Sequence, residues 1–198
     1  MIYKKLILLL TIGLTFFACQ KRNNEQDFVV PSDNEINKII QAVLIQDSLD
    51  ESTPIQWELK NPKIAERGDS EIPPPPPMPG TIYIDDLLSR KIDGKFFITP
   101  SDTFFIKVQS LIHLDFKIDS VLIKNNFMTE DAQQDKFEKT GKINYYRFTK
   151  PLFSKDKKKA YIQLDIICRR LCGAGLEYFL IKRNNKWIIA DTRQRWIS

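Results

Sequence analysis

The 198 residues carry 30 Lys and Arg against 25 Asp and Glu, a formal charge of +5, with 42% hydrophobic residues, one histidine and three cysteines. Both signs are scattered along the chain, which argues against a nucleic-acid or polyanion binder that relies on one long basic run. A single histidine removes most catalytic triads and multi-histidine metal sites, and no cofactor or metal is expected.

The chain opens on a leader. Lys4 and Lys5 precede an uninterrupted apolar or small run from Leu6 to Phe17 that ends in Ala18-Cys19, which is signal-peptide anatomy. A dozen helical residues span roughly 18 Å, well short of the ~30 Å hydrocarbon core, so this run does not predict a permanent transmembrane anchor. A small residue directly before cysteine resembles the lipobox of bacterial lipoproteins, although Phe16 and Phe17 stand where leucine and a small residue are commoner. That resemblance implies cleavage after residue 18 and acylation of Cys19. Two or more acyl chains, at about 0.8 kcal/mol per buried CH₂, make such attachment stable. Removing Lys4 and Lys5 lowers the charge to about +3. Residues 19–31 are then a polar, aperiodic tether, and residues 32–198 have the length of one domain. Lys21 and Arg22 follow the cysteine where surface-displayed lipoproteins carry acidic residues, so the expected location is the outer membrane, facing the periplasm.

Ser32 with Glu35 three residues later reads as a capping box, and Ile36, Ile39, Ile40, Val43 and Leu44 follow at the spacing of one helical face. The spacing predicts a helix over 33–48 with a polar opposite face that includes Glu35, Lys38, Gln41 and Asp47. Pro73 to Gly80 favours polyproline II and is expected to be a stiff exposed connection. Short strands are expected at 81–84 and 95–99. Ser101 is expected to cap a helix carrying Phe104, Phe105, Val108, Leu111 and Ile112, with a further short strand through Leu114, Phe116 and Ile118. Residues 125–141 are polar enough to be loop or frayed helix.

The last third reads as antiparallel strands at about 143–149, 159–168, 176–183 and 186–192, rich in aromatic and β-branched residues. Asn184-Asn185 suits a two-residue type I′ turn, so Arg183 should face Lys186 and Ile181 should face Ile188. Lys155 to Lys159 holds four lysines around Asp156 and is expected to be a solvated hairpin loop rather than a basic binding patch. The fold class is therefore α+β, an N-terminal amphipathic helix on a curved, mainly antiparallel sheet, an outline shared by cystatin-like and NTF2-like cones.

With Cys19 committed to lipid, Cys168 and Cys172 remain to pair, at the mouth of a hairpin that Gly173 and Gly175 help to reverse. A redox centre would want a two-residue spacing and a helix N-terminus, and zinc would want more ligands than the chain supplies. Pro151-x-Phe153, Asp156 to Ala160, Cys168-x-x-Leu171-Cys172-Gly173-x-Gly175 and Lys182 to Trp187 together resemble the C-terminal part of small envelope lipoproteins of Bacteroidota-type bacteria, over about a third of the chain. Arg169-Arg170 departs from the smaller residues expected there. The resemblance implies compartment and fold and carries no reaction with it.

Motifs for chemistry are sparse. The chain has no Gly-x-Ser-x-Gly elbow, no His-Glu-x-x-His and no phosphate-binding glycine loop. His113 beside Asp115 would be an acid–base pair only if other groups converged on it, and Asp85-Asp86 more simply begins a helix. Tyr145, Tyr146, Tyr161, Tyr178, Trp187 and Trp196 would serve either a stacking platform or core packing. Arg193, Arg195 and Arg169-Arg170 would form an anion-binding surface if the fold brought them together. The expected function is a membrane-tethered, non-catalytic domain that binds a partner protein or an envelope component, with oligomeric state open. The alternatives are a cell-envelope hydrolase with an unrecognised site and a small-ligand binder.

Overall fold

The structure is a computed structural model that describes residues 31–66, 80–112, 116, 118–168 and 172–198. Cys19, most of the 19–31 segment, Pro73 to Pro79, His113, Asp115 and Arg169-Arg170 lie outside the described residues.

The first helix, α1 (Asp33–Gln46), starts where the sequence places it. The Ser32 hydroxyl accepts from the Glu35 amide at 3.4 Å, and Ile36, Ile39, Ile40, Val43 and Leu44 are buried. The second half of the expected capping box does not form as written. The Glu35 carboxylate instead accepts from Lys182 Nζ at 2.6 Å and Trp187 Nε1 at 3.1 Å, so it fastens the helix to a distant strand.

Those partners belong to a seven-stranded sheet of β1 (Ile55–Gln56), β6 (Phe127–Met128), β7 (Asn144–Phe148), β8 (Leu152–Phe153), β9 (Lys159–Cys168), β10 (Ala174–Arg183) and β11 (Lys186–Ile197). The order is β11-β10-β9-β7-β1-β6, with β8 also on β9. The long strands are antiparallel as expected, but the sheet is mixed, because β1 runs parallel to both β6 and β7. Asn184 and Asn185 both take positive φ, 48° and 61°, and Arg183 faces Lys186 and Ile181 faces Ile188.

Both faces of the sheet are covered. On one face α1 packs with Tyr146, Phe148, Ile162, Leu164, Tyr178, Leu180 and Trp187, backed by Ile118 and Ile123. On the other, Leu152, Tyr161 and Phe179 meet Ile82, Ile84, Leu87, Phe97, Ile98 and Ile106. The second cover comes from β3 (Thr81–Tyr83), α2 (Ile84–Ser89) and α3 (Thr103–Leu111); β3 pairs with β2 (Lys63–Ala65), and β4 (Lys91–Ile92) with β5 (Lys95–Phe96) form a small hairpin beside them.

Several expectations for this middle region change. The α3 helix is introduced by a 3₁₀ turn over Pro100–Asp102 in which Thr99 and Asp102, not Ser101, make the capping box. Its inner face is Ile106 and Gln109, whose side-chain amide donates to the Phe153 carbonyl at 2.8 Å and whose oxygen accepts from the Phe153 amide at 2.9 Å. Phe104 and Leu111 are each 79% exposed, so the apolar stripe read from spacing is rotated away from the core. The strand expected at 95–99 ends at Phe96, and Phe116 and Ile118 are not in a strand. Residues 125–141 contain β6 and a helix, α4 (Glu130–Thr140), capped by the Thr129 side chain at its start and by Gly141 at φ 61° at its end.

Further hydrogen bonds beyond the apolar stripe hold the C-terminal end of α1 in place. Tyr178 Oη donates to Asp47 at 2.5 Å, and Gln46 donates to the Trp187 carbonyl at 2.8 Å while accepting from the Ile189 amide at 2.9 Å. Gln46 thus imitates a neighbouring strand along the outer edge of β11. Burial would raise the Glu35 carboxyl, but the Lys182 and Trp187 bonds outweigh it and hold the group below its ordinary value. A lowered carboxyl contributes stability that is present above the unfolded value and is lost as pH falls through the folded one. Glu35→Gln should therefore cost about 1 kcal/mol at pH 7, and the difference from the unaltered chain should shrink below about pH 4 in denaturant titrations; a pH-independent difference would contradict the clasp.

Candidate functional site

Alternation along β9 puts Tyr161, Gln163 and Asp165 on the face opposite α1, and the register places Glu177 beside Gln163 and Gly175 beside Asp165. These polar positions are fully enclosed: Tyr161, Gln163 and Asp165 are 1–3% exposed. From β7 comes Arg147, opposite Asp165, and from β11 come Arg193, opposite Glu177, and Trp196, opposite Gly175. The register slips between Gly175 and Leu176, which leaves Arg195 as an extra residue of β11. A bulge of this kind re-aims the side chains beside it. Strict alternation from Arg193 would send Trp196 to the α1 side; the extra residue turns it onto Gly175.

The cluster has two linked halves. In one, Arg147 donates through two nitrogens to one Asp165 oxygen at 2.9 and 3.2 Å, and Trp196 Nε1 donates to the other at 3.3 Å. In the other, Tyr161 Oη donates to Glu177 at 2.9 Å and accepts from the Gln163 amide at 2.7 Å, which also donates to the Thr81 carbonyl at 3.3 Å. Arg195 lies against this second half. Its side chain is 2% exposed, its Nε is 3.8 Å from Glu177, and none of its three guanidinium nitrogens has a hydrogen-bond acceptor among the described residues. Gln163 Oε1 is likewise buried with no donor among the described residues.

Electrostatics follow from this enclosure. Burial pushes the Glu177 carboxyl above its ordinary value, against the lowering effect of the Tyr161 bond and of Arg193 and Arg195. Burial, then the Glu177 charge, raises the Tyr161 phenol well above its usual range. The face therefore presents a hydrogen-bonded pair, Arg147 with Asp165, and a more loosely matched one, Arg195 with Glu177. Such groups can bind and orient an anion, and Glu177 has the raised carboxyl pKa that general-acid catalysis uses.

Of the residues singled out from sequence, Arg193 and Arg195 do converge, on Glu177. The six aromatics do not form a platform: Tyr146, Tyr178 and Trp187 belong to the α1 side, while Tyr145, Tyr161 and Trp196 lie on the other. Asp85 and Asp86 begin α2, as expected. Cys168 and Cys172 are paired at disulfide distance, with Cα atoms 5.8 Å apart. Gly173 and Gly175 have a different role from the one expected. Neither takes positive φ, and a Cβ on Gly175 would come within 2.0 Å of Trp196 Nε1, so these glycines leave room for the indole. Gln163, Asp165, Glu177 and Arg147 were not foreseen, although polar residues alternating through the longest strands are a signal that the second face is enclosed.

Among the described residues no group of three His, Cys, Asp or Glu side chains is placed to hold a metal ion, and no helix is long and apolar enough to cross a membrane. No family model matches the chain, nor does any curated protein or solved structure.

Two measurements check this geometry. Arg195→Met removes one of the charges that lowers Glu177, so the Glu177 carboxyl should titrate at higher pH by ¹³C NMR; an unmoved titration would show the two are not coupled. Gly175→Ala should displace Trp196 at a cost of about 1–3 kcal/mol, seen as a shift in tryptophan emission and a lower melting temperature.

Proposed function

We propose that the chain is a lipoprotein of the cell envelope, anchored to the outer membrane through lipid on Cys19 and facing the periplasm, whose α+β domain is a non-catalytic binding module for a partner protein or an envelope component. The observation that carries this reading is Arg195, a guanidinium enclosed to 2% exposure with no hydrogen-bond acceptor among the described residues. A buried charge without full hydrogen bonding is costly, and a ligand carboxylate or phosphate, held through two parallel N–H donors, offsets that cost. Arg193, exposed and opposite Glu177, adds a second cation on the approach to it.

A hydrolase is supported by one observation, the raised Glu177 carboxyl. Its phenolic and guanidinium neighbours favour recognition, because each already engages Glu177 and neither is a nucleophile or a second acid. The leader and lipobox residues support the anchoring half of the reading independently of the domain.

The test is crosslinking in intact cells followed by recovery through the domain. A reproducible partner should be captured by the unaltered chain and lost with Arg195→Met, while Cys19→Ala should release the protein from membranes and abolish acyl labelling. Capture that is indifferent to Arg195→Met would remove the cluster from the function, and retention of membrane attachment and label by Cys19→Ala would remove the anchor.

A further inference from the structure

Charge that is dispersed in the sequence is gathered in space. The β8–β9 loop presents Lys155, Lys157 and Lys158, and the amide of Lys182 at the end of β10 donates to the Lys158 carbonyl at 2.7 Å, so the loop and the β10–β11 hairpin sit side by side. That hairpin adds Lys182, Arg183 and Lys186. Lys38 of α1 shares a groove of about 320 Å³ with Asn185, Lys186 and Trp187. The small β4–β5 hairpin completes the cluster, since Lys159 Nζ donates to the Phe96 carbonyl at 3.4 Å and the hairpin carries Lys91 and Lys95.

This end of the molecule therefore collects ten cationic side chains. The carboxylates there are Asp33, Glu35, Asp93, Asp102 and Asp156, which leaves a surplus of five. Glu35 is already held between Lys38 and Lys182, and Asp102 is buried on the amides of Thr99 and Lys155. The chain without Lys4 and Lys5 carries about +3 in total. The rest of the chain thus sums to about −2, so the surplus at this end exceeds that of the whole chain. Phe96 projects from the basic end, 51% exposed, with Lys91 Nζ 4.9 Å from its ring centre.

We infer that this basic end docks on an anionic phospholipid surface, with Phe96 entering the interface between its lysines. A basic surface carrying an exposed aromatic is matched to a bilayer of acidic headgroups, where the cations meet phosphate and the ring meets the upper acyl region. Three features favour a membrane over another polyanion. The cations come from four separate elements and are spread across this end of the molecule. The aromatic stands among them. The chain also enters α1 at this same end, because Ser32 lies one turn before Glu35.

The last point rests on the anchoring proposed for Cys19. Eleven residues lie between Cys19 and Pro31, a length that spans at most roughly 40 Å. A domain on so short a link meets its own membrane continuously, and the basic end is the part it presents. β9 then runs away from the bilayer for about 30 Å, which carries the disulfide to the far end and places the Arg195–Glu177 cluster part-way along the strand.

The experiment uses the chain from residue 19 onward with Cys19→Ala, so that neither leader nor lipid contributes. Its co-sedimentation is measured with vesicles of 30% phosphatidylglycerol in phosphatidylcholine and with pure phosphatidylcholine vesicles, at low and high salt. Docking predicts at least ten-fold stronger binding to the acidic vesicles and loss of that binding at high salt. It also predicts loss in the Lys157→Glu, Lys158→Glu, Arg183→Glu, Lys186→Glu variant, whose four positions are exposed and whose melting temperature should be unchanged. Phe96→Ser should weaken binding without altering its salt dependence. Equal binding to both vesicles, no binding to either, an unaffected quadruple variant, or stronger retention on double-stranded DNA than on acidic vesicles would overturn the inference. Acyl labelling of the unaltered chain reports on Cys19 separately, so failure of docking and failure of anchoring give different results.

Discussion

The docking of α1 on the long strands is the contact on which the rest of the fold depends. Its five-residue apolar stripe removes Ile36, Ile39, Ile40, Val43 and Leu44 from water, at about 1.5–3 kcal/mol for each side chain fully buried. Apolar packing alone would leave the helix free to slide or rotate. Directionality comes from polar side chains on its flank: Glu35 on Lys182 and Trp187 at one end, Gln46 on the β11 backbone and Asp47 on Tyr178 at the other. The Tyr178 phenol is held far above its usual range by burial and by the Asp47 carboxylate, so it remains a donor under all ordinary conditions.

The opposite face is built on a different balance. Its outer half is apolar, with Phe179 edge-on to both Phe97 and Tyr161 at centroid distances of 5.2 and 5.3 Å. Towards the disulfide it becomes polar, and every enclosed carboxylate there is met by a guanidinium, a phenol or an indole N–H. Arg147 with Asp165 is well satisfied. Arg195 is not, and a poorly satisfied buried charge is an unfavourable arrangement for folding alone. Two neighbouring guanidinium–carboxylate pairs on one face thus differ in how completely they are satisfied.

Legibility in the sequence followed the range of the interaction. The limits of α1, the asparagine turn and the β10–β11 register were readable because cap, stripe and turn all lie within a few residues of one another. The α3 stripe was misjudged because its orientation is set by Gln109 gripping Phe153, a contact 44 residues away. Gly173 and Gly175 looked like turn glycines because nothing local reveals that Trp196 needs their missing side chains. The Arg195–Glu177 cluster and the basic end share this cause: a bulge, a register and the adjacency of separate loops decide them. Lys155 to Lys159 was read as a solvated loop, which describes its local conformation and says nothing of the lysines that other elements place around it.

The Glu35 clasp also bears on the order of events in the life of the chain. Its partners Lys182 and Trp187 stand 147 and 152 residues further on, close to the end of the sequence. Contacts of such span are slow to close, since the intervening chain must be ordered before they are rewarded. The first helix therefore has no finished docking surface until the last hairpin has been synthesised and turned. A chain exported from its N-terminus would emerge helix first and wait unfolded for its C-terminal strands, and chaperones outside the membrane would meet an exposed isoleucine stripe during that interval.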